Sequence, residues 1–205
     1  STDHTKQIAL SFPGVVVVDE PRKGIVWARH AGFIASTGEL VANIDADTIL
    51  PPGWLATVLT EFKRDAKLVA LSGPFIYYDL SVYNRLLVRF FYGIGFLFYI
   101  VNYFILGIGA MLQGGNFVVR RSALERIGGY NTSIEFYGED TEIARLLSTV
   151  GKVKWTFHLP MYTSGRRLKK EGILTIGLRY SLNYLWITFR KKPFTKGYID
   201  IREKK

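Results

Sequence analysis

Phe90 to Leu112 reads FFYGIGFLFYIVNYFILGIGAML, 23 residues without a charge. Nothing else in the chain limits the fold so tightly. A stretch of that length and hydropathy can enter a bilayer, and otherwise has to hide its surface. The competing reading is a buried core helix, against which the bulk of Phe and Tyr on every face speaks. Gly93, Gly95, Gly107 and Gly109 argue against one straight helix, and Asn102 sits near the middle.

This segment separates two acidic pairs. Ahead of it, the apolar run Leu40-Val41-Ala42 leads into Asp45-Ala46-Asp47 and closes on Pro51-Pro52 and Trp54. That pattern predicts a buried strand ending in two carboxylates, then a turn and a helix. Side chains two apart on an extended chain face the same way, so Asp45 and Asp47 can converge on one ligand. Two carboxylates that close repel unless a cation joins them, and oxygen-only ligands suit Mg²⁺ or Mn²⁺. Behind the segment, Glu139-Asp140 follows Tyr137-Gly138 at the start of a helix carrying Ile143, Leu146 and Leu147 on one face. If the two pairs share a site, they lie on one side of any membrane. A single crossing would part them, and 23 residues are too few for two spans. The segment is therefore expected to dip and return, lie in the interface, or pack on another apolar surface.

The remaining pattern alternates strands with helices. Asp3, with Ser1 and Thr2, reads as the N-cap of a helix bearing Ile8, Ala9 and Phe12. Gly14 to Asp19 reads as a β-branched strand buried on both faces. Ile25 to Thr37 reads as a helix with Gly38 just past its end, Trp54 to Phe62 as another, and Leu68 to Leu71 as a strand. Gly114-Gly115-Asn116 resumes the soluble pattern. Ser122 to Glu125 looks like a capping box for a short helix stopping at Gly128-Gly129. Val153 to Phe157 alternates like a strand, and Ile173 to Phe189 is an apolar-aromatic helix flanked by Lys169, Lys170, Arg190, Lys191 and Lys192. Such alternation predicts an α/β fold with a mostly parallel, doubly wound, Rossmann-like sheet, helices on both faces, and hydrophobic membrane-associated helices besides. Ligands of such sheets sit beyond the carboxyl ends of the strands, where Asp45 and Asp47 fall. At 205 residues the chain reads as one domain (1–205), with a hydrophobic insertion at 86–112 and an amphipathic or interfacial helix at 173–192. The net charge of +10 calls for an anionic partner. The absence of cysteine excludes thiolate chemistry and disulfides.

Taken in order, these stations resemble family 2 of the glycosyltransferases, with the GT-A fold. Ser1-Thr2-Asp3 resembles the end of the family's D-x-x-S-T-D segment. Gly24-x-x-x-Ala28-Arg29-x-x-Gly32, followed by Gly38-Glu39, resembles its G-x-x-x-A-R-N-x-G…G-E stretch, with His30 in place of Asn. Asp45-Ala46-Asp47 matches the D-x-D, Gly114-Gly115-Asn116 the G-x-N, Glu139-Asp140 the E-D, and Thr163 to Arg167 the T-S-x-R-R. Against the family pattern, roughly 40 residues are expected upstream, so the domain reads as N-terminally incomplete.

The resemblance implies an inverting, metal-assisted single displacement. A sugar moves from a UDP- or GDP-linked donor to a lipid-linked or glycan acceptor. In it Asp47 coordinates Mg²⁺ or Mn²⁺, with Asp45 on the metal or the ribose. Asp140 is the base and Glu139 its understudy. Gly114, Gly115 and Asn116 approach the sugar, Arg166 and Arg167 hold a diphosphate or lipid phosphate, and Lys23 and Arg29 touch the nucleotide. His30 reads as structural. With the two apolar segments and their flanking cations, this gives a peripheral or monotopic enzyme on the cytoplasmic face of the cell membrane. The alternatives are a nucleotidyltransferase-like enzyme and a non-catalytic basic module binding membrane or nucleic acid. The cations cluster at the apolar segments and not in a stripe between exposed aromatics, which disfavours nucleic acid.

Overall fold

The structure is a computed structural model that describes residues 3–105, 107, 111–134, 137–192 and 194–195. Its main sheet has four strands in the order β1, β5, β3, β6. These are β1 (Leu40–Ile44), β3 (Leu68–Ser72), β5 (Asn116–Arg120) and β6 (Lys152–Trp155). β5 is antiparallel to both β1 and β3, whereas β3 and β6 are parallel. So β1, β3 and β6 run the same way and β5 alone runs against them. A smaller sheet joins β2 (Thr48–Ile49), β7 (Met161–Thr163) and β4 (Phe75–Tyr77), in that order.

Both faces of the main sheet are covered. On one, Phe117 and Val119 of β5 meet α2 (Ile25–Ala35), α5 (Arg121–Arg126) and α6 (Glu139–Ser148) through Val26, Phe33, Leu124, Ile143 and Leu147. On the other, Val118 and Leu71 meet α3 (Trp54–Arg64). α3 buries Trp54, Val58 and Phe62. Those positions recur every four residues, so they form one stripe and leave the polar face to water. All five residues of β3 are buried, which accounts for its uninterrupted apolar run.

The hydrophobic segment starts earlier than its charge-free stretch. α4 runs Val82–Ile100, with the Ser81 hydroxyl accepting the Asn84 N–H at its start (3.3 Å). It passes through Gly93 and Gly95 unbroken. The irregularity comes later, as a π-helical turn at Val101–Ile105 that holds the buried Asn102. In that turn the Asn102 amide donates to the Tyr184 hydroxyl (3.1 Å), and Gly107, with φ +62°, lies just beyond it. Residues 106 and 108–110 lie outside the described part. From Val82 to Ile105 the helix is long and apolar enough to cross a membrane, and only 11% of its most apolar window is buried. One side packs on β6, with Tyr92 stacked on Trp155 and Phe96 against Trp155 and Phe157. Leu86, Phe90 and Leu97 face outward. α8 (Ile173–Arg190) packs beside it, Gly177 admitting the Phe91 ring, and exposes Leu174, Leu178, Leu182 and Phe189. The short α7 (Arg166–Glu171) precedes α8.

The N-terminal expectations need correcting. Ser1 and Thr2 lie outside the described residues. α1 is only Thr5–Leu10 and buries nothing, and Ile8 and Phe12 are exposed. Gly14 to Asp19 forms no strand, and Val16 is 78% exposed. A strand needs a ladder partner, and β1, at the end of the main sheet, pairs only with β5 among the described residues. α2 stops at Ala35 with an extended Ser36, two residues short of the expected end. Ser122 is inside α5 and caps nothing, since Arg120 holds the cap position.

Candidate active site

The direction of β5 builds the site. Ile44, the last residue of β1, pairs with Asn116, the first of β5. The turn entering β5 therefore lies beside the residue leaving β1, and Gly115 meets Asp45. Gly115 has φ +81°, and a Cβ there would overlap the Asp45 carboxylate. Only glycine suits that backbone and that approach. On the other side of the same turn, a Cβ on Gly114 would lie 3.1 Å from Glu139 Oε1 and 3.4 Å from Asp140 Oδ2. Two glycines thus stand between the carboxylate from β1 and the pair that opens α6.

Two carboxylates share one buried cation. Arg29 of α2 donates to Glu139 Oε1, and its other nitrogen lies 3.3 Å from Asp45 Oδ1. The side chains of Arg29 and Glu139 are each 9% exposed. Burial by itself lowers the affinity of Arg29 for its proton, but the charges of Glu139 and Asp45 override it and hold the guanidinium raised. Burial pushes the Glu139 carboxyl up to about 7, against the pull of Arg29, with Asp140 adding in the same direction. Its Oε2 has no hydrogen-bond partner among the described residues. Burial also raises Asp140, although the Gly114 N–H (3.1 Å) and the Thr141 N–H (2.8 Å) donate to it. Carboxylates poised this way suit proton transfer near neutral pH.

The small sheet places the outer rim. Thr48 of β2 pairs with Thr163 of β7, which brings the turn holding Asp47 against the residues after β7. Arg166 donates to Asp47 at 2.8 Å. Asp79 fixes that loop, accepting the Ser164 hydroxyl (3.0 Å) and the Gly165 N–H (2.6 Å). Asp45 and Asp47 remain 37% and 39% exposed. Two aspartates at one bend, partnered by arginines and holding hard oxygen donors, fit a divalent cation. No group of three or more acidic, His or Cys side chains able to hold a metal occurs among the described residues. Further ligands would come from water or a bound substrate.

The expected residues thus divide. Asp45, Glu139, Asp140, Arg29, Gly114 and Gly115 come together, with Asp47 and Arg166 at the rim. Asn116 is not in the pocket: it is fully buried, receives Trp54 Nε1–H (3.2 Å), and donates to the carbonyls of Gly73 (3.0 Å) and Leu159 (2.9 Å). It is a structural hub, because a buried amide must spend its donors on the backbone around it. Lys23 is exposed, and the cluster is held without it. Arg167 turns away from Arg166 toward Glu171 (2.8 Å) and Tyr137. Sequence reasoning missed Asp79, Tyr137 and Arg179, and did not foresee that Arg29 pairs with Glu139 and Asp45. Only Tyr137 carried a signal, its place just before Glu139-Asp140. An open cavity of about 1290 Å³, lined by Lys67, Tyr103, Arg126 and Lys152 among others, lies at the opposite end of β3 and β6. It holds none of these groups.

Comparison with known proteins agrees with this fold. The fold is GT-A. It is similar to a mannosyltransferase from Pyrobaculum calidifontis solved with GDP-Man and Mn²⁺, with TM-score 0.61, 21% identity, and coverage of 93% of this chain and 52% of that one. It is also similar to glucosyl-3-phosphoglycerate synthase from Mycobacterium tuberculosis, with TM-score 0.54, 19% identity, and coverage of 92% and 66%. Among curated sequences, an uncharacterized glycosyltransferase of M. tuberculosis is 44% identical over 69 residues, 34% of this chain and 31% of that protein. Glucosyl-dolichyl phosphate glucuronosyltransferase of Haloferax volcanii is 24% identical over 191 residues, 90% of this chain and 57% of its own length. The matched stretches therefore span about a third to two thirds of these proteins' own lengths. Residues 1–128, well over half of the chain, match the family profile described as Glycosyl transferase family 2. The chain belongs to glycosyl transferase family 2.

Proposed function

We propose that the chain is the catalytic part of an inverting glycosyltransferase. It moves a sugar from a UDP- or GDP-linked donor to a lipid-linked or glycan acceptor at a membrane surface. The observation that carries this reading is the Gly114-Gly115 turn, which sets Asp45 beside Glu139 and Asp140 although 94 and 95 positions separate them in the chain. Asp47 and Asp45 would hold Mg²⁺ or Mn²⁺, and the ion, when bound, supplies positive charge for the leaving diphosphate. The similar mannosyltransferase was solved with Mn²⁺ and GDP-Man, which supports that choice of ligands.

Asp140 takes the proton from the acceptor hydroxyl. As the new bond to the anomeric carbon forms, the bond to the diphosphate oxygen breaks and its electrons leave with the diphosphate. One displacement inverts the centre. The Gly114 N–H fixes the Asp140 carboxylate, and Arg29 keeps the neighbouring carboxylates from repelling each other. Arg166 is placed to release Asp47 and take up phosphate, which its guanidinium fork suits.

A membrane surface fits the outward faces of α4 and α8, with Leu86, Phe90, Leu97, Leu174 and Leu178 exposed and Arg190 over the Trp186 ring. The two acidic pairs meet at one site, so α4 does not part them. That favours a helix lying in the interface, on the cytoplasmic side where nucleotide sugars are found. The exposed apolar faces also favour a lipid-linked acceptor over a free glycan.

The test is thermal unfolding in detergent with Mn²⁺ and UDP, GDP or their sugars, for the wild type and Asp47→Asn. A nucleotide- and metal-dependent rise of several degrees, lost in Asp47→Asn, is expected. No rise with any nucleotide sinks the donor assignment. Cosedimentation with anionic vesicles tests the surface reading separately.

A further inference from the structure

The helix that presents an apolar face to the outside also holds the acidic pair from the inside. Gly138, the cap of α6, adopts φ +84°, and a Cβ there would collide with Ile187 Cδ1 of α8. Ile187 is fully buried against the backbone from which Glu139 and Asp140 project. The preceding residue is gripped as well. The Tyr137 hydroxyl receives Arg179 Nη1 of α8 (2.9 Å), and Arg179 and Arg167 both pair with Glu171 at the end of α7. Arg179 also lies 5.5 Å from the centre of the Tyr137 ring. Two independent contacts, one apolar and one polar, therefore tie Tyr137-Gly138 to α8. Along α8 the inward positions Ile176, Asn183 and Ile187 alternate with the outward Leu174, Leu178 and Leu182. A rigid helix carries displacement of one face to the other. The Asn102 bond to Tyr184 adds the end of α4 to the same body.

We propose that Ile187 is a positioning residue. By seating on Gly138, α8 sets where Asp140 and Glu139 stand, so the seating of α8 on a lipid surface sets the competence of the site. The first helical bond after the turn, Glu142 N–H to the Gly138 carbonyl (2.9 Å), reports on that seat. The lipid half of the proposal rests on the membrane-surface reading above, and the Ile187 half does not.

The experiment compares Ile187→Ala with Leu124→Ala, an equally buried truncation in α5. Amide exchange at Glu142 and Ile143 is followed alongside transfer kinetics. In Ile187→Ala, exchange there quickens selectively, and kcat falls about ten- to a hundredfold while KM for the donor is unchanged. Equal effects in Ile187→Ala and Leu124→Ala at matched stability overturn the positioning role. If Ile187→Ala does not fold, Ile187→Val removes Cδ1 alone, the atom seated on Gly138, should lower kcat in the same direction by a smaller factor, and carries the same exchange comparison. Phosphatidylglycerol–phosphatidylcholine vesicles should slow exchange at Glu142 and Ile143 as well as in α8. Protection confined to α4 and α8 overturns the lipid coupling. A wild type that transfers no sugar sinks the proposed function instead, and the exchange comparison still decides the positioning role.

Discussion

Two regions of this protein break the usual partition of residues in opposite directions. Around Gly114-Gly115 the chain buries charge, with Arg29, Glu139 and Asp140 drawn together behind the sheet end. Along α4 and α8 it exposes bulk, with Phe90 63% and Leu178 62% exposed. The first violation is compensated inside the molecule, by a guanidinium, two backbone N–H groups and a glycine that admits a carboxylate. The second has no compensating partner among the described residues. Removing the partner of a buried charge strongly destabilises a protein. An exposed apolar stripe costs little to change and matters only through what covers it. The two regions should therefore answer mutation differently.

The largest effect is expected at the base. Asp140→Asn keeps the shape and removes the proton acceptor, so transfer should drop about 10²- to 10⁴-fold in steady-state assay. Full activity in Asp140→Asn alongside loss in Glu139→Gln would reverse the assignment of the two carboxylates.

Next comes the buried cation. Arg29→Met leaves Glu139 and Asp45 without their shared partner and should cost about 3–5 kcal/mol in denaturant unfolding. Adding Glu139→Gln to Arg29→Met should recover part of the loss. A loss under about 1 kcal/mol would place Arg29 among surface ion pairs and dissolve the contrast with the apolar face.

The third effect is a pH dependence. Glu139 is pushed up to about 7 in the folded chain from an ordinary 4.5. Between those values the folded protein holds a proton that the unfolded chain has lost. That contribution is fully present below about 4.5 and fades as pH rises through 7. Its ceiling is about 3 kcal/mol. Unfolding free energy measured across this range should slope downward in the wild type and flatten in Glu139→Gln.

The smallest effect on stability belongs to the outer stripe. Leu86→Gln, Phe90→Ser and Leu178→Gln should each shift unfolding by no more than about 0.5 kcal/mol. Together they should abolish cosedimentation with anionic vesicles. If they instead cost as much as a core truncation, the faces are covered by protein.

The sequence by itself determined the elements whose signals are local. α3 follows from Trp54, Val58 and Phe62, β3 from its unbroken apolar run, and α8 from its apolar-aromatic stretch with basic ends. The place of Asp45 and Asp47 after a strand followed in the same way, because periodicity and turn chemistry are written in adjacent residues. The tertiary structure alone decided what meets what. Nothing near Gly115 announces that β5 runs against its neighbours, yet that direction is what brings Asp45 to Asp140. Arg29 reaches Glu139 across 110 residues. Asn116 carries a motif's signature but faces inward, where its side-chain amide bonds four surrounding partners. Val15 to Val18 has the composition of a strand and forms none, since a strand exists only where another offers its edge. Local propensity selects the pieces, and pairing between distant segments selects the site.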